Sequence, residues 1–285
     1  MSDAYNELLD AAIQHLQELK AQGVRFVPVA PDSLAALNET PRRVVSPKQS
    51  APGTTPAIIP PKPAETKISV PAFDPRPSTP EKTAAYTELR QRAMTCVKCP
   101  HLASSRKNVV FGVGSIEAEL MFVGEAPGAD EDEQGEPFVG KAGQLLTKII
   151  QTMGLSRDSV YIANILKCRP DMPPGAPGNR KPTPEEMQTC IPYLHEQIDL
   201  IKPKVIVALG GTAVEGLLGK TVGIMKLRGN WQTYRGTPLM PTYHPAFLLR
   251  NQALSEKRKV WEDMLAAMEK LGMPISEKQR GFFLK

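Results

Sequence analysis

Glu119-Leu-Met-Phe-Val-Gly-Glu-Ala-Pro-Gly128 is the stretch that decides the fold. A short apolar run, Leu120 to Val123, breaks at a glycine and enters a turn holding proline and a second glycine, the pattern of a buried strand that ends in a tight turn. Val160-Tyr-Ile-Ala-Asn164 repeats the run and ends at an asparagine. Lys204-Val-Ile-Val-Ala-Leu209 repeats it again before Gly210-Gly211 and another helix, and Thr237–Thr242 reads as one more strand. Helical patterns fall between. One covers about Ala142–Met153, after a long polar loop from Ala129 to Gly140. Another opens at Thr183-Pro184-Glu185-Glu186, with a capping hydroxyl, proline in the first turn and a carboxylate at the capping-box position, and runs to about Ile201. Strands alternating with helices predict a parallel sheet covered on both faces. In such sheets the ligand lies beyond the carboxyl ends of the strands, where Gly124–Gly128, Asn164 and Gly210-Gly211 all fall.

Upstream, 13 of the 28 prolines lie between Pro28 and Pro80, in a stretch poor in aromatics and rich in Ser, Thr and Ala. That composition predicts a disordered, Pro-rich extension. Ahead of it Tyr5, Leu8, Leu9, Ala12, Ile13, Leu16 and Leu19 recur at helical spacing, a stripe that either docks on the folded part or binds a partner. The predicted organisation is an amphipathic helix over 1–23, a flexible linker over 24–82, a folded domain over 83–275 and a C-terminal tail over 276–285. A helical pattern at Thr83–Met94 opens the domain.

The net charge is +5, and Met1–Tyr86 carries nine acidic and nine basic residues, so the excess sits in the folded part. It suits phosphate contacts and an ordinary solvated surface equally well. No apolar run is long enough to span a bilayer. Asp3, Glu7 and Asp10 stand where a signal peptide carries basic residues. A cytoplasmic monomer is expected.

The four cysteines are Cys96, Cys99, Cys168 and Cys190. A C-x-x-C pair with two distant single cysteines and none left over predicts reduced thiols around a metal, not disulfides. Structural zinc also takes four thiolates but usually from two close pairs, whereas an iron–sulfur cluster accepts ligands from distant elements. Spacing alone leaves both open, with ordinary buried thiols as a third reading.

Gly124–Gly128 by itself is a weak signal: a tight turn whose amides can hold an anion or a polar ring edge. It gains weight beside Glu131, Gly135, Pro137-Phe138-Val139-Gly140 and Lys141–Leu146, one dense loop-to-helix block. Phe138 in that block reads as an exposed-loop aromatic suited to stacking on a base, or else as a core residue. In His244-Pro-Ala-Phe-Leu-Leu-Arg250, a histidine at a strand end can donate a hydrogen bond to a developing oxyanion. Leu248 and Leu249 can wedge into a base stack and Arg250 can pair with a phosphate. As a bare heptapeptide, the same residues read as a helix start capped by a histidine.

Together, Gly124–Leu146, Asn164-Ile-Leu-Lys-Cys168-Arg169-Pro170 and His244–Asn251 resemble the family 4 uracil-DNA glycosylases, over about Thr83 to Leu271. The resemblance implies a three-layer α/β/α sandwich with a four-stranded parallel sheet. It implies uracil-containing DNA as substrate and a [4Fe–4S] cluster on the four cysteines, with zinc as the alternative. It places Glu125 and Glu131 beside the sugar and the attacking water, and Ala126 in the substrate-binding turn. Phe138 would stack on the extruded uracil, Asn164 would read its O4 and N3–H edge, and His244 would stabilise charge on O2. Leu248 and Arg250 would touch DNA. The implied reaction is base flipping and hydrolysis of the C1′–N1 bond, with a uracil anion leaving. Neither Gly124–Gly128 nor His244–Arg250 holds a lysine for a Schiff base, so no strand cleavage is expected. The N-terminal stripe would then meet a replication or repair protein.

Two departures stand out. The superfamily's best-known branch carries an aspartate where this chain has Ala126, and the Cys168–Cys190 segment carries an extra run around Asp171–Pro177. A related branch that captures uracil-DNA covalently has a histidine in a basic loop here and Glu-Gln in the first motif. This chain has Gly178-Asn-Arg-Lys-Pro182 and Glu125-Ala126, so covalent capture is not expected. A catalytically weak uracil or abasic-site sensor is one alternative function. An electron-transfer protein is another, but it gives no reason for Phe138, Asn164 and His244 to occur together.

Overall fold

A computed structural model of the chain describes residues 78–173, 178–219 and 223–284, all within the unit Thr66–Lys285. The helix expected over 1–23, and the linker up to residue 77, lie outside the described residues. Among the described residues no helix is long and apolar enough to cross a membrane.

Six strands form one sheet in the order β1-β3-β2-β4-β6-β5. The four central strands, β2 (Leu120–Gly124), β3 (Tyr161–Asn164), β4 (Val205–Leu209) and β6 (Thr237–Thr242), are parallel. The expected four-stranded parallel sheet is therefore corrected to a mixed sheet of six. Its edges are β1 (Val113–Gly114) and β5 (Gln232–Tyr234), both antiparallel to their neighbours. These strands escape a sequence reading because they are two and three residues long and only half-buried. β5 reaches β6 through Arg235-Gly236, both at positive φ (+48° and +81°), the geometry that two-residue hairpins favour.

Alternation along the central strands divides the core into two layers. Met121, Val123, Tyr161, Ala163, Ile206 and Ala208 face one side, packed on α2 (Pro100–Ser105), α5 (Pro184–Ile201) and α6 (Gly211–Leu218). Leu120, Phe122, Ile162, Val205, Val207 and Met240 face the other, packed on α4 (Lys141–Thr152) and α9 (Leu254–Lys270). Helices on both faces give the three-layer arrangement and explain why the central strands are apolar at nearly every position. α1 (Pro80–Met94) starts three residues earlier than expected because Thr79 accepts the Lys82 N–H and Pro80 opens the first turn. The capping box read at Thr183 and Glu186 is present.

The polar loop expected from Ala129 to Gly140 contains a short helix, α3 (Ala129–Gln134). Its buried Asp132 accepts N–H bonds from Lys107 and Asn108. Beyond it come α7 (Ile224–Leu227), α8 (Pro245–Arg250) and α10 (Glu277–Arg280). The expected tail holds α10, whose Gln279 donates to the Thr152 carbonyl at the end of α4 and accepts from the Trp261 indole.

Candidate functional site

Parallel register sets Gly124 at the end of β2 beside Asn164 at the end of β3. Past the strands the pairing continues, Ile165 donating to the Gly124 carbonyl and Leu166 to that of Glu125. On the other side of β2, Gly210 donates to the Thr242 carbonyl, two residues before His244. Four strand ends thus converge, as the chain's reversal of direction across β2 requires.

Asn164 is 2% exposed, and its Oδ1 is the one buried side-chain N or O atom without a hydrogen-bond partner among the described residues. An orphaned buried acceptor costs about 1–3 kcal/mol. Gly124 forms the floor between this oxygen and Phe138: a Cβ there would overlap Asn164 Oδ1 and stand 2.5 Å from Phe138 Cζ.

Phe138 corrects the exposed-loop reading. It is buried, its ring tilted by 30° to that of His244 with centroids 5.7 Å apart. Its φ of +56° is an unfavourable backbone state for a bulky residue, and the turn is held from both sides. Glu131 accepts from the N–H groups of Val139 and Gly140 at 3.0 Å and of Gly128 at 3.1 Å. Arg157 donates to the carbonyls of Pro137 at 2.7 Å and Phe138 at 3.0 Å. Gly143 lets α4 start against this turn, since a Cβ there would overlap the Phe138 carbonyl. Sequence reasoning missed Arg157, an isolated arginine before β3 with no motif around it. The Glu125 carboxylate, by contrast, has no hydrogen-bond partner among the described residues. Ala126 follows it, partly buried against the core.

His244 is both things that its sequence suggested. It caps α8, Nδ1 accepting the Ala246 N–H at 3.1 Å, so the ring proton belongs on Nε2. Burial, helped by the Arg250 charge, lowers its pKa to about 4 and keeps the ring neutral. Behind it, Thr242 donates to Asp263 at 2.6 Å and Arg228 donates to the same carboxylate at 2.6 Å, which fixes the end of β6.

Leu248, read as a wedge, is 5% exposed and packs on Tyr243 and Val260, because its position on α8 turns it toward α9. Leu249 is 39% exposed, and Arg250 is exposed beside it. An open cleft of about 270 Å³ lies over the first motif, lined by Gly128, Glu131, Gly140, Lys141, Arg169 and Asn179. Arg169 donates to the Gly178 carbonyl at 3.0 Å and to Asn179 Oδ1 at 3.3 Å, which folds one arm of the extra loop over this cleft. Residues 174–177 of that loop lie outside the described residues. A largely apolar hollow of about 230 Å³ lies beside Leu248 and Leu249, lined also by Ile149, Trp261, Gln252 and Lys257.

The four thiols meet at one small cavity. Cys96 follows α1, Cys99 caps α2, Cys168 follows β3 and Cys190 lies in α5, with Leu102 and Leu166 between them. Arg106 donates to Cys168 Sγ at 3.0 Å and the Lys167 N–H to Cys190 Sγ at 3.2 Å. Burial raises the thiol pKa values of Cys99 and Cys168, and that of Cys190 to about 11. A second group, His101, Asp171 and Glu186, brings its donor atoms within 4.8 Å of one another. Arg180 already occupies it, donating to Asp171 and to both Glu186 oxygens.

Residues 111–265 match the Uracil DNA glycosylase superfamily. The chain is 47% identical to a type-4 uracil-DNA glycosylase of Thermotoga maritima over 178 residues, 61% of this chain and 88% of that protein. It is 41% identical to that of Sulfurisphaera tokodaii, covering 69% of this chain and 89% of the relative. With that of Archaeoglobus fulgidus the identity is 39%, over 69% and 96%. The family match and these relatives agree, and the chain belongs to the uracil-DNA glycosylase superfamily, in its type-4 branch.

Proposed function

We infer that the protein is a monofunctional DNA-repair glycosylase that turns uracil out of DNA and hydrolyses its C1′–N1 bond. The orphaned Asn164 Oδ1 carries this reading. Uracil offers a donor at N3–H and an acceptor at O4, so one amide can satisfy both. Cytosine presents the reverse pair and leaves the amide unsatisfied. A site built to hydrogen-bond its substrate rejects a mismatched analogue strongly. Phe138 supplies a face for the ring, and its doubly held turn supports a pocket that is already shaped before DNA arrives.

As the C1′–N1 bond breaks, electron pair and negative charge pass to the base. Nε2–H of neutral His244 donates to O2, where part of that charge collects. Water adds to C1′ and gives up its proton. Glu125 is the carboxylate free to orient that water and accept the proton, whereas both oxygens of Glu131 already serve backbone N–H groups. Glu131→Gln is therefore expected to destabilise the fold by about 2 kcal/mol. Glu125→Gln is expected to keep the melting temperature and lower kcat about a hundredfold. Thermal melts and single-turnover rates separate the two, and equal losses of stability would sink the assignment.

The thiol set fits an iron–sulfur cluster better than zinc. The thiols come from four separate elements, and an iron–sulfur cluster accepts ligands from distant elements where structural zinc usually takes two close pairs. The donors on Cys168 and Cys190 suit thiolates bridged to a larger centre. Cys96, Cys99, Cys168 and Cys190 would hold a [4Fe–4S] cluster, which when bound cross-links four elements and takes no part in hydrolysis. Reduced thiols in this role fit a cytoplasmic setting. At the DNA surface Leu249 takes the wedge position expected of Leu248, with Arg250 beside it.

The test is a denaturing gel with a labelled oligonucleotide holding one uracil, run with and without alkali for the wild type and Asn164→Ala. Cleavage only after alkali, reduced at least about a hundredfold in the variant, is expected. Intact DNA from iron-loaded protein would leave the sensor reading. Cleavage without alkali would point to a lysine such as Lys141 at the cleft.

A further inference from the structure

Lys167 is fully buried between the thiol centre and the base pocket, and no step above uses it. Its N–H donates to Cys190 Sγ at 3.2 Å. Its Nζ donates to the Asn164 carbonyl at 2.9 Å and to Gln197 Oε1 at 2.6 Å, and lies 5.8 Å from the centre of the Phe111 ring. Gln197 donates in turn to the Phe111 carbonyl at 3.0 Å and to the Tyr161 hydroxyl at 2.8 Å, which shares a hydrogen bond with Tyr86 on α1. A lysine is almost never fully buried unless paired, and here its partners are two neutral oxygens, so burying the amine costs free energy that no acidic group offsets. The polar side chain must therefore do something local.

We propose that Lys167 is a positioning residue that locks the Asn164 main chain to the cysteine-held centre, so that the uracil-reading amide is aimed through Cys190. The inference rests on the glycosylase reading above. Asn164 Oδ1 has no protein partner to hold it, so its direction depends on the peptide that carries it. That peptide ends β3, where its carbonyl is held by Lys167 Nζ. Lys167 touches Asn164 with its side chain and Cys190 with its main chain, and so spans the two sites within one residue.

The experiment uses the iron-loaded full chain and free uracil as the probe, with Lys167→Met and, as a control, Tyr161→Phe. Tyr161→Phe removes one hydroxyl from the same buried network and leaves every Lys167 contact in place. Lys167→Met should keep iron content and visible absorption, and bind free uracil about tenfold to a hundredfold more weakly, the effect of one charge-assisted hydrogen bond. On uracil-containing DNA, kcat should fall by a similar factor while KM stays within about threefold. Tyr161→Phe should lower the melting temperature without changing uracil affinity. If Lys167→Met does not fold, Lys167→Gln, one bond shorter and unable to reach both acceptors, should show the same loss. Wild-type uracil affinity in either Lys167 variant overturns the assignment. So does a loss in Tyr161→Phe that tracks its melting temperature. A wild type that fails to excise uracil would instead overturn the glycosylase reading.

Discussion

His244→Ala is expected to lower the rate of uracil excision by about a hundredfold to a thousandfold while changing DNA affinity little, the usual effect of removing one donor aimed at a developing anion. The ring is held by its Nδ1 bond to Ala246 and stands beside Phe138, so in the proposed mechanism it would contribute through charge development and not through docking. Its pKa of about 4, set by burial and then by Arg250, gives the acid side of the pH dependence. The folded value lies below the unfolded value of about 6.5. Between the two, the unfolded chain holds the proton that the folded chain rejects, so stability is level above about 6.5 and declines as the pH falls toward 4. The neutral donor survives across that window, and excision should be lost only as the pH falls through about 4. Single-turnover rates between pH 3.5 and 8 check both parts. A limb near pH 6.5 in the wild type, or a variant within about tenfold of it, would contradict the role given to His244.

Gly124→Ala should lower excision by up to about a hundredfold, since overpacking of this kind costs about 1–3 kcal/mol. The added methyl would overlap Asn164 Oδ1 and press on Phe138. Neither neighbour can yield easily. Asn164 is fixed at a strand end whose pairing runs on through Ile165 and Leu166. Phe138 sits in a turn held by Glu131 and Arg157. In the proposed mechanism the methyl would occupy the space that the uracil edge takes. Because the neighbours stand apart from the thiol centre, iron content should change little, while overpacking should lower the melting temperature by roughly 2–12 °C. Gel assays and iron analysis on the same preparation decide it: a variant with wild-type activity would mean that the pocket opens elsewhere.

Strong local signals survived the passage from sequence to structure. The buried runs at Leu120, Tyr161 and Val205, the capping box at Thr183 and the glycine turns at strand ends all depend on neighbours in the chain. The placing of Asn164 at a strand end and of His244 at a helix start was legible for the same reason, whereas the burial of Phe138 was not. What was missed is non-local. Arg157 matters only because folding brings the Pro137 and Phe138 carbonyls to it. Leu248 and Leu249 are neighbours of one type, and only packing against Val260 decides which turns inward. β1 and β5 draw their strand geometry from pairing with β3 and β6, not from their own composition. α3 is acidic along most of its length, and captured N–H groups hold its ends where periodicity predicts a loop.

The placement of Gly124, Asn164, Gly210 and His244 on four different strand ends has a consequence for how the molecule comes to be active. Each parallel pairing joins segments separated by a whole crossover, so the contacts that bring these residues together are of high sequence separation and close late. No single βα unit holds a usable fraction of the pocket. A partly folded chain carries strands and helices but no glycosylase, and catalytic turnover becomes a readout of complete folding.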